Sequence, residues 1–177
     1  YDLDFKGCHS CFACKRKGGK SYGKCAVKDG ITPVLEKIAQ ADAVIFGSPI
    51  YFGNVTGELR SFMERLMFQY LVYDGKYTSL APKKVKTACV YTMNVDSALM
   101  EQLGYRQNLQ GMEMFAGRLF GEPQVLHACN TYQFDDYSKY MCERFSESEK
   151  AAHRAAQFPK DLEEARRIGA AMVAASR

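Results

Sequence analysis

Four of the seven cysteines in this chain lie between residues 8 and 25. Cys8, Cys11 and Cys14 are separated by two residues each, and Cys25 follows after ten more. Thiolates at such short intervals can surround an iron–sulfur cubane, with the fourth ligand coming from further along the chain. The pattern therefore predicts a metal or redox use for this loop, with these four cysteines as candidate ligands.

The sequence alone leaves other uses of these thiols open. Structural zinc usually takes two separated C-x-x-C pairs, which the loop lacks. A thiol pair can cycle with a disulfide, and four free thiols can simply pack the loop. Clustered thiols in a chain of this size favour a reducing compartment over a secreted disulfide framework, so we expect a cytoplasmic protein.

A second stretch, residues 47–56, carries apolar and aromatic side chains where a surface loop is normally polar. It follows the apolar run 43–46, which reads as a short strand buried on both faces of a parallel sheet. Ile50, Tyr51 and Phe52 supply the kind of wall that a flat aromatic ligand needs. The alternative is a surface loop whose aromatic side chains pack on the following helix.

The elements that must position these stretches alternate between helices and short apolar strands. Helical patterns cover residues 31–40, 56–70, 97–119 and 147–176, and strand-like runs cover 43–46, 85–91 and 123–129. This order predicts a three-layer α/β/α arrangement with a parallel sheet, whose strands end at one shared edge. Thr32 is expected to cap the first helix, and Pro159 to interrupt the last one. We expect one domain over residues 1–177, with a cysteine-rich loop at 6–30 and a helical C-terminal segment at 147–177.

Two motifs resemble the NADPH-dependent FMN reductase and iron–sulfur flavoprotein families, which have a flavodoxin-like fold. The first is Gly47-Ser48-Pro49-Ile50-Tyr51-Phe52, followed by Glu58-Leu59-Arg60-Ser61-Phe62-Met63-Glu64-Arg65. The second is the cysteine loop, which ends in Cys25-x-x-x-Asp29. The resemblance covers the first half of the chain closely and the remainder only as a strand–helix pattern.

The resemblance implies that the protein binds FMN and, as in the iron–sulfur flavoproteins, a 4Fe-4S cluster. The implied ring contacts are Ser48, Pro49, Ile50, Tyr51, Phe52, Gly53 and Asn54, together with Thr92, Met93 and Asn94 after the next strand. The implied cluster ligands are Cys8, Cys11, Cys14 and Cys25, although the fourth cysteine of that family usually follows sooner than Cys25 does here. The aromatic residues Tyr132 and Phe134, after the third strand, are expected near the same edge.

The two families begin with a strand and a Gly-Ser-rich loop that holds the FMN phosphate at a helix N-terminus. Nothing in this sequence matches that unit, and residues 1–5 read as the end of a strand. We therefore expect a sheet that lacks the first strand and phosphate loop. The natural protein is expected to have a βα unit of about 30 residues or more upstream, and FMN affinity to be poor without it.

Hydride transfer between a nicotinamide and a flavin is the chemistry of the cofactors, so no catalytic side chain is assigned. The leading hypothesis is an FMN-dependent oxidoreductase that takes electrons from NAD(P)H or a reduced carrier. Its acceptor is a quinone, an azo or nitro compound, or an iron–sulfur protein. The alternatives are a non-enzymatic electron carrier that holds FMN with or without a cluster, and a non-redox module that keeps only the fold.

Composition limits the partners. The net charge of +4 is not spread along one basic helix, so we expect no nucleic-acid partner. No stretch is long and apolar enough for a membrane span, so we expect no membrane partner. The helix at 56–70 is rich in Phe, Met and Tyr, which predicts a homodimer or homotetramer.

Overall fold

The computed structural model describes residues 2–174 and places a mixed, mainly parallel sheet between two helical layers. The elements in chain order are α1 (Thr32–Ile38), β1 (Ala43–Tyr51), β2 (Asn54–Val55), α2 (Gly57–Tyr70), β3 (Lys86–Thr92), α3 (Ser97–Gln102), α4 (Tyr105–Leu119), β4 (Gln124–Ala128) and α5 (Glu147–Ala174). Short 3-10 turns occupy Ala13–Lys15 and Tyr137–Lys139. The predicted alternation of helices and strands is confirmed.

The strand order is β2-β1-β3-β4, and β1, β3 and β4 are mutually parallel. Pro49 pairs with Thr92, and Thr92 pairs with Ala128, so the three parallel strands end in one row. This confirms that the loops after the strands share one edge of the sheet. Strand β2 pairs with the end of β1 in an antiparallel hairpin.

The main hydrophobic core lies between the sheet and the layer formed by α1, α2 and α4. Leu66 of α2 and Leu109 of α4 are fully buried, and they belong to one cluster with Phe46 and Tyr91 of the sheet. On the opposite face, α5 packs on β3 and β4 through a smaller cluster built from Ala88, Leu126, Ile168 and Met172. Burying each large aliphatic side chain contributes about 1.5–3 kcal/mol, so the first face dominates the stability of the domain.

Strand β1 differs from the prediction in length and in burial. It runs through Gly47 to Tyr51, so the predicted loop is mostly strand and its turn consists of Phe52 and Gly53. The prediction that β1 is buried on both faces is wrong, because Phe46 is 4% exposed whereas Ile45 is 57% exposed. The physical reason is that α5 covers β3 and β4 and leaves the outer face of β1 open.

The free edge of β1 agrees with the expectation that the first strand is missing. Within residues 2–174, β1 is paired on this side only at Ile50 and Tyr51, by β2, and no strand lies beside Ala43–Pro49. Residues 2–5 form no strand, so the prediction that they end one is wrong for the described residues; Tyr1 lies outside them. A strand requires a ladder of backbone hydrogen bonds, and among the described residues the bond from Gly30 N to Asp4 O (3.1 Å) is not extended into one.

The helix boundaries depart from the sequence expectations at two positions. Thr32 is the first residue of α1 and not its cap; its Oγ1 accepts a hydrogen bond from Asp29 N (3.0 Å). Pro159 lies inside α5, which continues without interruption, so the predicted break is wrong. A proline removes one backbone hydrogen bond, and α5 is anchored well before and after it by the buried residues Lys150 and Ile168. No helix among the described residues has the length and apolar character to cross a membrane.

The start of α2 is tied to the end of β1 by two hydroxyl groups. Ser48 Oγ accepts from Thr56 N (3.0 Å), and Thr56 Oγ1 accepts from Leu59 N (3.2 Å) as the N-cap of the helix. An N-cap oxygen satisfies a backbone N–H that has no partner in the helix. These bonds fix where α2 leaves the sheet edge.

Replacing Thr56 with Ala should lower the free energy of unfolding by about 1 kcal/mol, because the N-cap oxygen of α2 is lost. Thr56→Ser keeps that oxygen, so its free energy of unfolding should stay within about 0.3 kcal/mol of the wild-type value. Urea unfolding of the three proteins measures the difference. Equal stability of the Ala and Ser variants would show that the cap does not stabilise α2.

Candidate functional site

The β1–β2 hairpin carries the aromatic residues that the sequence assigned to a planar ligand. Phe52 and Gly53 form its turn, both with positive φ (52° and 75°). The side chain of Phe52 is fully exposed and Tyr51 is 59% exposed, so neither is packed under α2. A bulky residue with positive φ is strained by about 1–3 kcal/mol, and such strain tends to be kept at ligand sites.

The tip of this hairpin rests on the start of α4. Asn108 Nδ2 donates to Gly53 O (3.2 Å), and a Cβ on Gly53 would lie 2.8 Å from a ring carbon of Tyr105. Glycine is therefore required here both for the backbone angle and for the close approach. The sequence included Gly53 in the site but gave no sign of this contact with α4.

Ser48 and Asn54, two of the predicted ring contacts, form hydrogen bonds to other residues of the chain with their polar side-chain atoms. Ser48 is 5% exposed, and its hydroxyl donates to Pro49 O (2.7 Å) while it accepts from Thr56 N. Asn54 Oδ1 accepts from the neighbouring Val55 N (2.9 Å). Ser48 and Asn54 therefore shape the hairpin, and the exposed side chains beside them are those of Pro49, Tyr51 and Phe52.

The loop after β3 contributes unequally to the same edge. Thr92 is exposed next to Pro49, whereas the side chain of Met93 is 3% exposed and belongs to the main core. Met93 N donates to Ala128 O (2.9 Å), which attaches the loop to β4. Asn94 is half-buried, and its Oδ1 has no hydrogen-bond partner. The structure thus brings Thr92 and Asn94 to the edge and turns the Met93 side chain away from it.

A cleft of about 430 Å³ opens between this edge and α5. Thr92 and Ala128 form one wall, and its aromatic lining includes Tyr132, Phe134 and Phe158. Sequence reasoning placed Tyr132 and Phe134 here but missed the α5 side chains. Among them, the guanidinium of Arg154 lies 5.4 Å from the Tyr132 ring centroid. No pattern in the sequence indicates which side of α5 faces the sheet edge at this point.

The four clustered cysteines are brought together in space. Cys8, Cys11, Cys14 and Cys25 line one small cavity of about 20 Å³ between the cysteine loop and α2. Cys11 is exposed, and Cys14 is 6% exposed. Among residues 2–174, no three His, Cys, Asp or Glu side chains are arranged to hold a single metal ion. The structure therefore provides a shared cavity lined by four thiols but no ready mononuclear site.

One lysine and one arginine lie against this cavity. Burial raises the pKa of the Cys14 thiol; Lys15 lowers it, and the neighbouring cysteines raise it further. Lys15 itself donates to the carbonyl oxygens of Phe68 and Leu71 at the C-terminal end of α2. A cation there is stabilised by the helix dipole, so Lys15 fastens the loop to α2.

Arg65 of α2 is the second residue that attaches the cysteine loop to α2, and its side chain is 1% exposed. Its guanidinium donates to both carboxylate oxygens of Asp29 (2.8 and 3.2 Å) and, through Nε, to Cys25 Sγ (3.0 Å). It also donates to Lys6 O (3.0 Å) and Val27 O (3.3 Å). The hydrogen bond from Arg65 holds the pKa of Asp29 below its ordinary value. The motif residues Arg65 and Asp29 carried no assigned role in the sequence, because no spacing rule connects residues so far apart.

Helix α2 therefore serves both candidate sites. Thr56 at its start anchors the aromatic hairpin, and Arg65 lies nine residues later, about 13 Å along the helix axis. The hairpin and the cysteine cavity are thus placed by one rigid element.

Replacing Asp29 with Asn should lower the free energy of unfolding by about 3 kcal/mol at neutral pH, because the buried Arg65 loses its counter-ion. The folded-state pKa of Asp29 lies below its ordinary 3.8, so its contribution is complete above that pH. That contribution is lost as the pH falls through the lower, folded-state value. Urea unfolding at a series of pH values should show the two proteins converging below pH 3.8.

Asp42→Asn is the matched control for this experiment. The Asp42 carboxylate is 74% exposed and pairs with Lys83 at the surface. An exposed pair contributes about 0–1 kcal/mol, so this variant should unfold almost like the wild type. Two results would contradict the role given to Asp29. One is an equal free energy of unfolding for Asp29→Asn and the wild type at neutral pH, and the other is a difference that does not change with pH.

Comparison with known sequences finds a matching family and several relatives that share part of this chain. The profile of the family described as NADPH-dependent FMN reductase matches residues 4–118. A stretch of 64 residues is 44% identical to an iron–sulfur flavoprotein of Archaeoglobus fulgidus, covering 36% of this chain and 29% of that protein. A stretch of 49 residues is 37% identical to an NAD(P)H dehydrogenase (quinone) of Trichlorobacter lovleyi, covering 28% of this chain and 24% of that protein. The chain matches less than a third of the length of these relatives.

A solved structure supports the architecture. The NAD(P)H:quinone oxidoreductase from Methanothermobacter marburgensis superposes with a TM-score of 0.51, over 66% of this chain and 58% of that one. The sequence identity is 16%, so the likeness concerns the fold alone. Together with the family profile, it establishes the flavodoxin-like fold expected from the sequence.

Proposed function

This chain belongs to the NADPH-dependent FMN reductase family, and on that premise we propose that it is an FMN-dependent oxidoreductase that takes electrons from NAD(P)H. The observation that carries the proposal is the exposed aromatic hairpin at the carboxyl edge of the sheet. Tyr51 and Phe52 present apolar surface to solvent where a parallel α/β sheet binds its ligands. Covering such surface with a planar ring is favourable by about 25 cal/mol per Å².

The exposed residues fit the ring of FMN. Pro49, Tyr51, Phe52 and Thr92 supply the surface against which a ring can lie, and the buried parts of both loops hold that surface in place. When bound, FMN supplies hydride and single-electron transfer. The described residues contain no Gly-Ser-rich loop at a helix N-terminus for its phosphate, so we expect this part of the protein to bind FMN weakly.

The acceptor is proposed to bind in the cleft between the sheet edge and α5. This cleft opens beside Thr92, and the rings of Tyr132, Phe134 and Phe158 line it. Aromatic walls of this kind suit flat acceptors such as quinones and azo or nitro compounds. An iron–sulfur protein as acceptor is the further alternative.

The second proposal concerns the cysteine cavity, in which Cys8, Cys11, Cys14 and Cys25 would hold a 4Fe-4S cluster. Two observations favour it: all four thiols line one cavity of about 20 Å³, which the loop would have to widen to admit a cluster, and the cations Lys15 and Arg65 lie against it. A four-thiolate cluster is negatively charged, and adjacent cations offset that charge. A protein that held FMN and a cluster but did not oxidise NAD(P)H would be an electron carrier, which is the alternative function.

Self-association remains a proposal, with a narrower basis than the sequence suggested. Met63, Leu66 and Tyr70 of α2 are buried in the chain's own core, so they need no partner subunit. The apolar surface left beside α2 includes Phe12 and Tyr73, each more than half exposed. We propose this aromatic patch as the contact of a homodimer or homotetramer.

Replacing Phe52 with Ala should raise the Kd for FMN about tenfold, because an exposed ring that packs on the ligand is removed. Tyr77→Ala removes an exposed aromatic side chain to which no role is assigned, and it should leave the Kd unchanged. Flavin fluorescence titration measures binding, and NADPH oxidation with a quinone acceptor measures activity. Failure of the wild type to bind FMN contradicts the proposed function, and equal affinity of the Phe52 variant contradicts the site.

Anaerobic incubation with equal amounts of ferrous and ferric iron and with sulfide should give the wild type a broad visible absorption and bound iron and sulfide. Cys11→Ser should abolish the absorption, whereas Cys129→Ser, outside the loop, should retain it. Loading should weaken as the pH is lowered, because the ligands must be thiolates and burial raises the pKa of Cys14. Uptake of zinc alone, a disulfide, or four unreacted thiols would each contradict the cluster.

A further inference from the structure

We infer that Lys150 is a positioning residue, whose buried side chain joins α5 to both loops at the carboxyl edge and so holds the Thr92–Asn94 loop in place for the ring. The inference rests on the proposed function, because the ligand that this loop would contact is the FMN ring. Lys150 lies in the first turn of α5 and is 2% exposed. Nothing in the sequence patterns distinguishes it from the other lysines.

The ammonium group of Lys150 reaches three oxygen atoms on two loops. Its Nζ donates to Asn94 O (2.7 Å) in the loop after β3. It also donates to Asn130 Oδ1 (2.8 Å) and Thr131 O (3.3 Å) in the loop after β4. A lysine has three donors, so its hydrogen-bonding capacity is fully used by these contacts.

These two loops are also bonded to each other. Asn130 N donates to Val95 O (2.7 Å), and Thr131 N donates to Met93 O (3.0 Å). Asn130 has a positive φ of 53°, which turns the chain back toward the loop after β3. Lys150 therefore attaches α5 to two loops that are already bonded to each other. Its single ammonium group contacts both loops.

The location of Lys150 is unfavourable for the helix itself. A cation in the first turn opposes the helix dipole, and burying an ammonium group costs several kcal/mol unless it is well compensated. Within the described residues, Lys150 forms no ion pair with a carboxylate, and burial lowers its pKa. The three oxygen atoms and the Phe145 ring 4.8 Å away compensate the charge at short range, and the nearby Cys142 and Asp96 also favour the charged form. The stability of α5 therefore gives no reason for a lysine here, whereas the attachment of the loops does.

The contact with Asn94 also fixes the direction of a peptide group. The C=O and N–H of a trans peptide point in opposite directions. With Asn94 O held toward Lys150, the Val95 N–H is held away from it. Losing the ammonium would free this peptide to rotate and would leave Asn130 Oδ1 without its donor, which would loosen the edge that receives the ring.

The test compares Lys150→Met and Lys150→Arg with the control Lys160→Met, an exposed lysine on the same helix. Hydrogen exchange without FMN should accelerate at least about tenfold at the amides of Asn130 and Thr131 in Lys150→Met, because both loops lose their shared donor. Exchange at the Cys25 amide, which bonds to Gln69 Oε1 (2.9 Å), should not change. The Kd for FMN should rise about tenfold in the same variant.

The visible circular dichroism of FMN at saturation separates positioning from simple destabilisation. Lys150→Met should change that spectrum, Lys150→Arg should restore it in part because it keeps the charge, and Lys160→Met should match the wild type. A lowered melting temperature with unchanged loop exchange and an unchanged FMN spectrum would overturn the inference alone. A wild type that binds no FMN would overturn the proposed function and the ring-positioning role together, even with altered exchange at the loops.

Discussion

The buried guanidinium of Arg65 is the interaction on which the N-terminal part of this protein depends. Residues 6–30 contain no strand and only one short 3-10 turn, so ladder hydrogen bonds cannot hold them. Arg65 instead gathers the Asp29 carboxylate, the Cys25 sulfur and two backbone carbonyls around one planar group. Guanidinium is suited to this because its five donors lie in one rigid plane. Losing Asp29 would leave the buried Arg65 guanidinium without its counter-ion, so the loop and α2 are expected to be destabilised together.

Helix α2 connects the cysteine loop to the β1–β2 hairpin. Its first turn is capped by Thr56, which is tied to Ser48 in β1, and its last carbonyl groups receive Lys15 from the cysteine loop. Leu66, between these ends, is fully buried against the sheet. A helix held at both ends and packed in the middle has little freedom to shift, so the distance between the aromatic hairpin and the cysteine cavity is fixed by its length.

The carboxyl edge of the sheet is organised by a different device. Strand pairing brings the ends of β1, β3 and β4 into one row, but the loops after β3 and β4 have no ladder to follow. They are held instead by loop-to-loop backbone bonds and by the ammonium group of Lys150. The exposed Phe52 lies instead in the β1–β2 hairpin, whose backbone is held by strand pairing and by Asn108.

The sequence by itself determined the layer order, the shared strand edge and the grouping of the cysteines, because these follow from local periodicity and short spacing. It misjudged the two-sided burial of β1, the strand at residues 2–5 and the break at Pro159, since each depends on what packs alongside. Only the tertiary structure decided that the Met93 side chain turns into the core, that Ser48 serves the hairpin, and that Arg65 and Lys150 hold the two candidate sites. The physical reason is that a buried charge is stabilised by oxygen atoms that the folded chain brings from distant positions. No periodicity in the sequence records which atoms those will be.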